Sequence, residues 1–223
     1  MLILAWGASW QIAAAAPWAQ EDDGLYARVS LAQEEVESLS GWRADAYAEY
    51  GVTSRLTATA KIERVDYRNG SDFNTTGWRS TLRFAVLDEG PFVAAIEVGL
   101  LQGAAIGGRN GCDQIGAEVR AGLGWSGEWQ KRSTYMFGEL AGRFHEDCQR
   151  DRYAFGLGQQ TSENFWSITQ VWIERGDTNA ASDKFQTEIL WRTGPADFSF
   201  GYRKENGGVF EEESIFVALA RQF

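Results

Sequence analysis

The sequence predicts an all-β chain: a transmembrane, antiparallel, up-and-down β-barrel of about 12 strands, with roughly 10 or 14 also compatible with the pattern. Three observations predict it. Apolar side chains recur with a period of two rather than 3.6 beyond Asp23. Short connections alternate with longer, more polar ones. Aromatic residues gather at strand ends on the apolar parity, where two lipid–water interfaces would select them.

Composition agrees with long strands and tight turns. The 223 residues include 25 Gly, 10 Trp and 13 Phe but only 3 Pro. The formal net charge of −10 argues against a nucleic-acid partner, which needs clustered Lys and Arg. A mean hydropathy of −0.34 reads as soluble, yet a barrel with an apolar exterior and a polar interior averages to the same value.

The chain opens with "MLILAWGASWQIAAAAPWAQEDDG", an apolar run followed by small residues and then acids. This is the pattern of a secretory signal peptide, expected over residues 1–19 with a cleavage region within Ala13–Ala19. It departs from the pattern in having no Lys or Arg ahead of the apolar segment. The other reading of this stretch is a short buried helix. The run is too short for a transmembrane helix, and the remainder, 20–223, reads as one barrel with no linker or repeat.

Strand-like runs are expected at 25–35, 42–50, 56–68, 78–87, 92–101, 115–125, 133–144, 152–160, 165–175, 184–192, 197–204 and 213–223, the 152–160 run being the weakest. Alternation is clearest in the middle of the chain. Over 92–101, Phe92, Ala94, Ile96, Val98 and Leu100 oppose Val93, Ala95, Glu97 and Gly99. Over 115–125, Ile115, Ala117, Val119, Ala121, Leu123 and Trp125 oppose Gly116, Glu118, Arg120, Gly122 and Gly124. Over 78–87, Trp78, Leu82, Phe84 and Val86 oppose Arg79, Thr81 and Arg83. The short connections are Gly51–Arg55, Asp88–Pro91, Ser126–Arg132, Thr161–Asn164 and Thr193–Ala196; most of the others are longer, such as "GAAIGGRNGCDQ". Short turns at one end and long loops at the other are the signature of an up-and-down barrel, with the short turns on the periplasmic side.

Period two by itself fits a soluble barrel as well as a membrane one. Two features favour polar-inside. The polar parity carries both charge signs: Arg43, Lys61, Arg79, Arg83, Arg120, Arg143, Arg192 and Arg203 with Glu49, Glu97, Glu118, Glu139 and Glu188. Inside a lumen such charges must pair, because an unpaired buried charge costs several kcal/mol. The aromatic residues form two sets, Tyr50, Phe92, Trp125, Phe165, Trp191, Phe198 and Phe223 at the short-turn end and Trp42, Trp78 and Phe185 at the other.

The last run, "SIFVALARQF", alternates Ile215, Val217 and Leu219 and ends on Phe223. It resembles the final strand of bacterial outer-membrane β-barrel proteins. The resemblance is at the superfamily level and implies that the barrel-assembly machinery reads Ile215, Val217, Leu219 and Phe223. It implies outer-membrane localisation, contact with membrane lipids and lipopolysaccharide, and no cofactor. Arg221 departs from the pattern, since that position is usually apolar; near an interface an Arg can snorkel its charge into the headgroups.

Cys112 and Cys148 both fall in long connections on one side, and an exported chain permits a Cys112–Cys148 disulfide. No His pair accompanies them, so no metal site is expected. The acids Asp66, Asp72, Asp113, Glu146, Asp147 and Asp151 match no calcium-loop spacing. His145 is the only histidine and the only candidate base of its type for a barrel lipid hydrolase; no serine motif of those enzymes accompanies it. The expected function is therefore a passive narrow pore or structural barrel with an ion-paired lumen. The alternatives are an outer-membrane lipid-modifying enzyme and a soluble exported barrel that binds an apolar ligand.

Overall fold

In the computed structural model, which describes residues 17–68, 70, 73–103, 114–146, 148–176, 181–207 and 210–223, the chain forms twelve antiparallel strands. They are β1 (Leu25–Val36), β2 (Leu39–Thr53), β3 (Leu56–Tyr67), β4 (Thr75–Glu89), β5 (Phe92–Gln102) and β6 (Gly116–Trp129), then β7 (Arg132–Phe144), β8 (Gln149–Ser162), β9 (Phe165–Gly176), β10 (Ser182–Arg192), β11 (Asp197–Gly207) and β12 (Phe210–Gln222). Each pairs with its sequence neighbours, and β12 closes on β1 from Tyr26↔Gln222 to Val36↔Glu212. Closure leaves no sheet edge to satisfy, which is the condition for strands to exist without water. Of the expected signal peptide, residues 1–16 lie outside the described residues.

The short turns fall where the sequence places them. The β6–β7 hairpin turns through Gln130 and Lys131, both at positive φ (52° and 62°), which matches the twist of the flanking strands. Gly90 supplies a φ of 59° between β4 and β5. The opposite end is less uniformly loopy than expected. Only Glu37 and Ser38 separate β1 from β2, because Val36 and Leu39 carry the two strands on into an inward apolar cluster with Val65 and Tyr67. The weak run at 152–160 is likewise a full strand of 14 residues, β8, since its glycines pair as backbone whatever they lack in side chains.

A bulge interrupts the expected parity of 78–87. Between Ala85 and Leu87 the β4–β5 register shifts, so Val86 and Leu87 both face outward. The register also shifts at Gly51/Thr53 and Gln160/Ser162, at short-turn strand ends; between these points alternation holds, and it sorts side chains in the reverse of a soluble protein. Val29, Ile62, Phe84, Ile96, Leu123 and Phe200 are exposed on the outside, while Arg43, Arg83, Glu97, Glu118, Arg120 and Glu188 are buried facing the lumen. An outward row such as Phe92–Leu100 rises roughly 27 Å along its strand, or about 21 Å after a tilt of some 40°, close to the apolar height of a membrane barrel.

The apolar belt is bounded. On its short-turn edge Phe165, Trp191 and Phe198 form one cross-strand aromatic run, with ring centroids 6.2 and 6.0 Å apart. Above its other edge, marked by Trp42, Trp78 and Phe185, the outward side chains become charged pairs: Arg64 with Asp66, Arg175 with Asp183, and Lys204 with Glu211 and Glu213. Phe84, Phe155 and Phe200 also sit mid-belt, so large aromatics are not confined to the edges.

Candidate functional site: the lumen

Every expected lumen residue lies on the inward parity of its strand. Arg43, Glu49, Arg83, Glu97, Glu118, Arg120, Glu139, Arg143 and Glu188 are buried; Lys61, Arg79, Arg192 and Arg203 are at least partly covered. Their pairing follows a rule that no single strand contains. Many partners sit on adjacent strands, and others, such as Arg79 with Glu118, Arg83 with Glu49 and Arg143 with Glu174, cross an intervening strand that the concave wall folds inward.

Glu118 on β6 binds three guanidiniums. It accepts from Arg143 at 2.5 Å, Arg120 at 2.7 Å and, across β5, Arg79 at 3.3 Å. Arg79 can reach it because the intervening inward residue is Gly99, paired to both Thr81 and Glu118. Glu174 on β9 does the same for Arg143 (2.9 Å), Arg152 (3.3 Å) and Arg150 (3.5 Å). Arg120 also holds Glu139 at 3.2 Å. On the opposite wall Arg43 joins Glu34 and, across β1, Glu212, while the Tyr67 hydroxyl donates to Glu34 at 2.6 Å.

Two pairs among the described residues span two strands: Arg203 on β11 stands 4.0 Å from Asp45 on β2, and the shorter pair joins β1 to β10. Arg28 on β1 donates to Glu188 on β10 at 2.6 and 3.3 Å. The strands between them present Ala218, Ala220, Ser199 and Gly201 inward near that level, with the Phe216 ring lying over Gly201. Small residues here set the reach of large ones. A buried ion pair is weak evidence for stability but costs heavily if one partner is removed; this network therefore closes and stiffens the loop-side half of the lumen.

The short-turn half is different. Tyr135, Phe137, Trp166, Ile168 and Leu190 form an inward apolar cluster, with Trp18 packed on it. The Arg192 guanidinium lies 5.0 Å over the Trp166 ring. Sequence reasoning missed this cluster, and it missed Phe216, which turns inward in β12 between Ser214 and Ala218 under Arg203. The parity count alone could have found Phe216, Phe137 and Trp166, since each shares a face with charged residues of its own strand. It also missed Glu34, Arg152 and Glu174, inward residues of expected runs, and Arg150 and Glu212, which lie just outside the expected runs at 152–160 and 213–223.

Ile215, Val217, Leu219 and Phe223 face outward. Arg221 shares that face, and its guanidinium sits 4.7 Å over the Phe223 ring, its charge held at the belt's edge. Cys148 is buried just before β8, whereas Cys112 lies outside the described residues. His145 is half-buried, and its backbone N–H donates to the Cys148 carbonyl at 2.8 Å. Its Nδ1 is 2.9 Å from the Gln114 carbonyl oxygen, so Nδ1 carries the proton, and its ring covers the backbone of Gly116. Among the described residues no serine or threonine hydroxyl hydrogen-bonds this ring. Asp72, Asp113 and Asp147 lie outside the described residues, and the described residues contain no cluster of acids, His or Cys suited to a metal ion.

No family model matches the sequence, and no curated protein matches it. Solved structures do match. The NanC porin superposes with a TM-score of 0.63 at 9% identity, covering 86% of this chain and 98% of that one. An outer membrane channel from Pseudomonas putida F1, COG4313, gives 0.60 at 11% identity over 96% and 100%. The KdgM porin gives 0.57 at 6% identity over 86% and 97%. The fold is that of the bacterial outer-membrane β-barrels. At such identities the likeness is one of architecture, carried by strand count, closure and polarity.

Proposed function

We propose that this chain is a passive outer-membrane barrel: a narrow pore whose lumen is stiffened by ion pairs rather than a barrel that carries out chemistry. The observation that supports this most is the reversal of polarity. A continuous apolar belt faces outward while arginines and carboxylates are buried inside and paired across strands. A water-soluble protein with so large an exposed apolar surface would aggregate; in a bilayer the same surface is matched to its solvent. The short turns then lie on the periplasmic side and the longer connections outside. The outward row of β12 contacts lipid, and we further propose that the assembly machinery reads Ile215, Val217, Leu219 and Phe223. Cys112 and Cys148 form a disulfide that ties two outer connections together.

Cell fractionation with gel migration before and after boiling tests the placement. The expected result is recovery in the detergent-extracted outer-membrane fraction, with faster migration unboiled. Release into buffer without detergent would refute it. Planar-bilayer recording tests the pore, for which unitary current steps are expected. Intact mass with and without reduction tests the disulfide.

A further inference from the structure

The segment Pro17–Gln20 lies inside the short-turn mouth, and the wall is shaped to receive it. Pro17 is among the fully buried residues and Gln20 is 3% exposed. The Trp18 ring stands edge-on to Tyr135 and Phe137, with centroids 5.8 and 6.3 Å apart. The segment's polar groups are met by the wall. Arg83 donates to the Trp18 carbonyl at 2.9 Å, the Gln20 amide donates to Thr57 Oγ1 at 2.9 Å, and the Gln20 side chain donates to Glu49 at 2.5 Å and accepts from Gln222 at 3.2 Å. Three wall positions along its path carry no side chain. A Cβ at Gly51 would stand 1.8 Å from the Glu21 carbonyl oxygen, one at Gly122 3.0 Å from the Pro17 ring, and one at Gly124 2.8 Å from the Trp18 ring. Contacts that close require glycine or displacement of the segment.

We propose that the short-turn mouth is a peptide-binding site whose resident ligand is the chain's own Pro17–Gln20, retained after export because the leader is cut ahead of Pro17, within Ala13–Ala16. The small residues that a signal peptidase requires are all present there. The enzyme hydrolyses one peptide bond with water, leaving a carboxylate on the leader and an amine on the mature chain. Removal of residues through Ala19 would instead discard the Trp18 ring that the aromatic cluster surrounds. Seated, the segment fills the space between β6, β7 and the Glu49–Arg83 side and plugs the mouth. Its effect on conduction rests on the pore reading above; its seating does not.

Three measurements test this, on barrels whose folding is checked by migration before and after boiling. First, the intact mass of the protein purified from membranes is expected to correspond to a start at or before Pro17; a start at Gln20 or later overturns the proposal. Second, Pro17→Cys, with Cys112 and Cys148 changed to Ser, is expected to react with a maleimide at least about 10-fold more slowly than the same protein carrying Gly51→Val, which has no room for the Glu21 carbonyl. Equal, fast labelling in both overturns the seat. Third, deletion of 17–20 is expected to raise unitary conductance above that of the intact protein. Equal nonzero conductance refutes the plug. Silence in both refutes the pore and leaves the seat to be judged by labelling.

Discussion

At the short-turn end the lumen is packed with Trp18, Tyr135, Phe137, Trp166, Ile168 and Leu190. At the loop end the same kind of space is crossed by Arg79, Arg120 and Arg143 on Glu118, and by Arg143, Arg150 and Arg152 on Glu174. Beside β6–β10 the first half is closed by shape and the second by charge, while toward β2–β5 the short-turn half also holds Arg83 with Glu49 and Glu97. Shape closure tolerates the loss of a single contact gradually, because neighbours partly collapse into the gap. Charge closure tolerates it badly, because removing a shared carboxylate takes a counter-charge from several buried guanidiniums at once. The two halves should therefore respond differently to the same size of cut.

The sharpest way to break that comparison is Glu118→Ala. It leaves three guanidiniums without their common acceptor, and unfolding in denaturant is expected to show a loss of about 3–5 kcal/mol. A loss below about 1 kcal/mol would mean that the loop-side network is solvated and does not hold the wall. Next comes Phe137→Leu in the packed half, expected to cost about 1–2 kcal/mol by the same assay, as a large-to-small change with partial refilling. Arg83→Lys probes the boundary between the halves. Arg83 reaches Glu97 at 2.9 Å, Glu49 at 3.0 Å and the Trp18 carbonyl at 2.9 Å, a fork that one ammonium cannot reproduce. About 1–2 kcal/mol should be lost, with faster maleimide labelling of Pro17→Cys in the same background. The smallest effect is expected from Arg221→Gln, within about 0.5 kcal/mol, since Arg221 contributes only an exposed contact to Phe223. Salt separates buried from exposed charge: about 1 M KCl, with a screening length near 3 Å, should leave the Glu118 contribution nearly intact.

The difference between the halves also marks what could be read in advance. Period two is a local property repeated in every strand, so the strands, their inward and outward faces and the outward row of β12 were legible. So were Glu118 and Arg120, because neighbouring inward positions of one strand need no tertiary knowledge. The bulge at Ala85–Leu87 was not, since a single extra residue leaves no mark in a run that is apolar on both parities. Nor was the short Glu37–Ser38 connection, since Val36 and Leu39 join the strands through an apolar cluster with Val65 and Tyr67 that forms only across strands. The aromatic cluster was overlooked for a different reason: Tyr135, Phe137 and Trp166 share the inward face with charges, and an aromatic residue by itself does not say whether lipid or lumen surrounds it. The sequence reads Pro17–Ala19 as the end of a leader, because the seat of Pro17–Gln20 is built from glycines and side chains on β2, β3, β4, β6 and β7.

The sequence alone determined that this chain alternates, that it forms roughly a dozen strands, and that its apolar parity lies opposite its charged one. Those properties follow from which atoms neighbour one another along the backbone. Only the tertiary structure decided that Arg28 meets Glu188, that Arg79, Arg120 and Arg143 converge on one carboxylate, and that the N-terminal segment occupies the mouth. Each depends on closing β12 onto β1 and on the curvature that closure imposes, which brings side chains of non-adjacent strands within a few ångströms across a wall kept open by Gly and Ala.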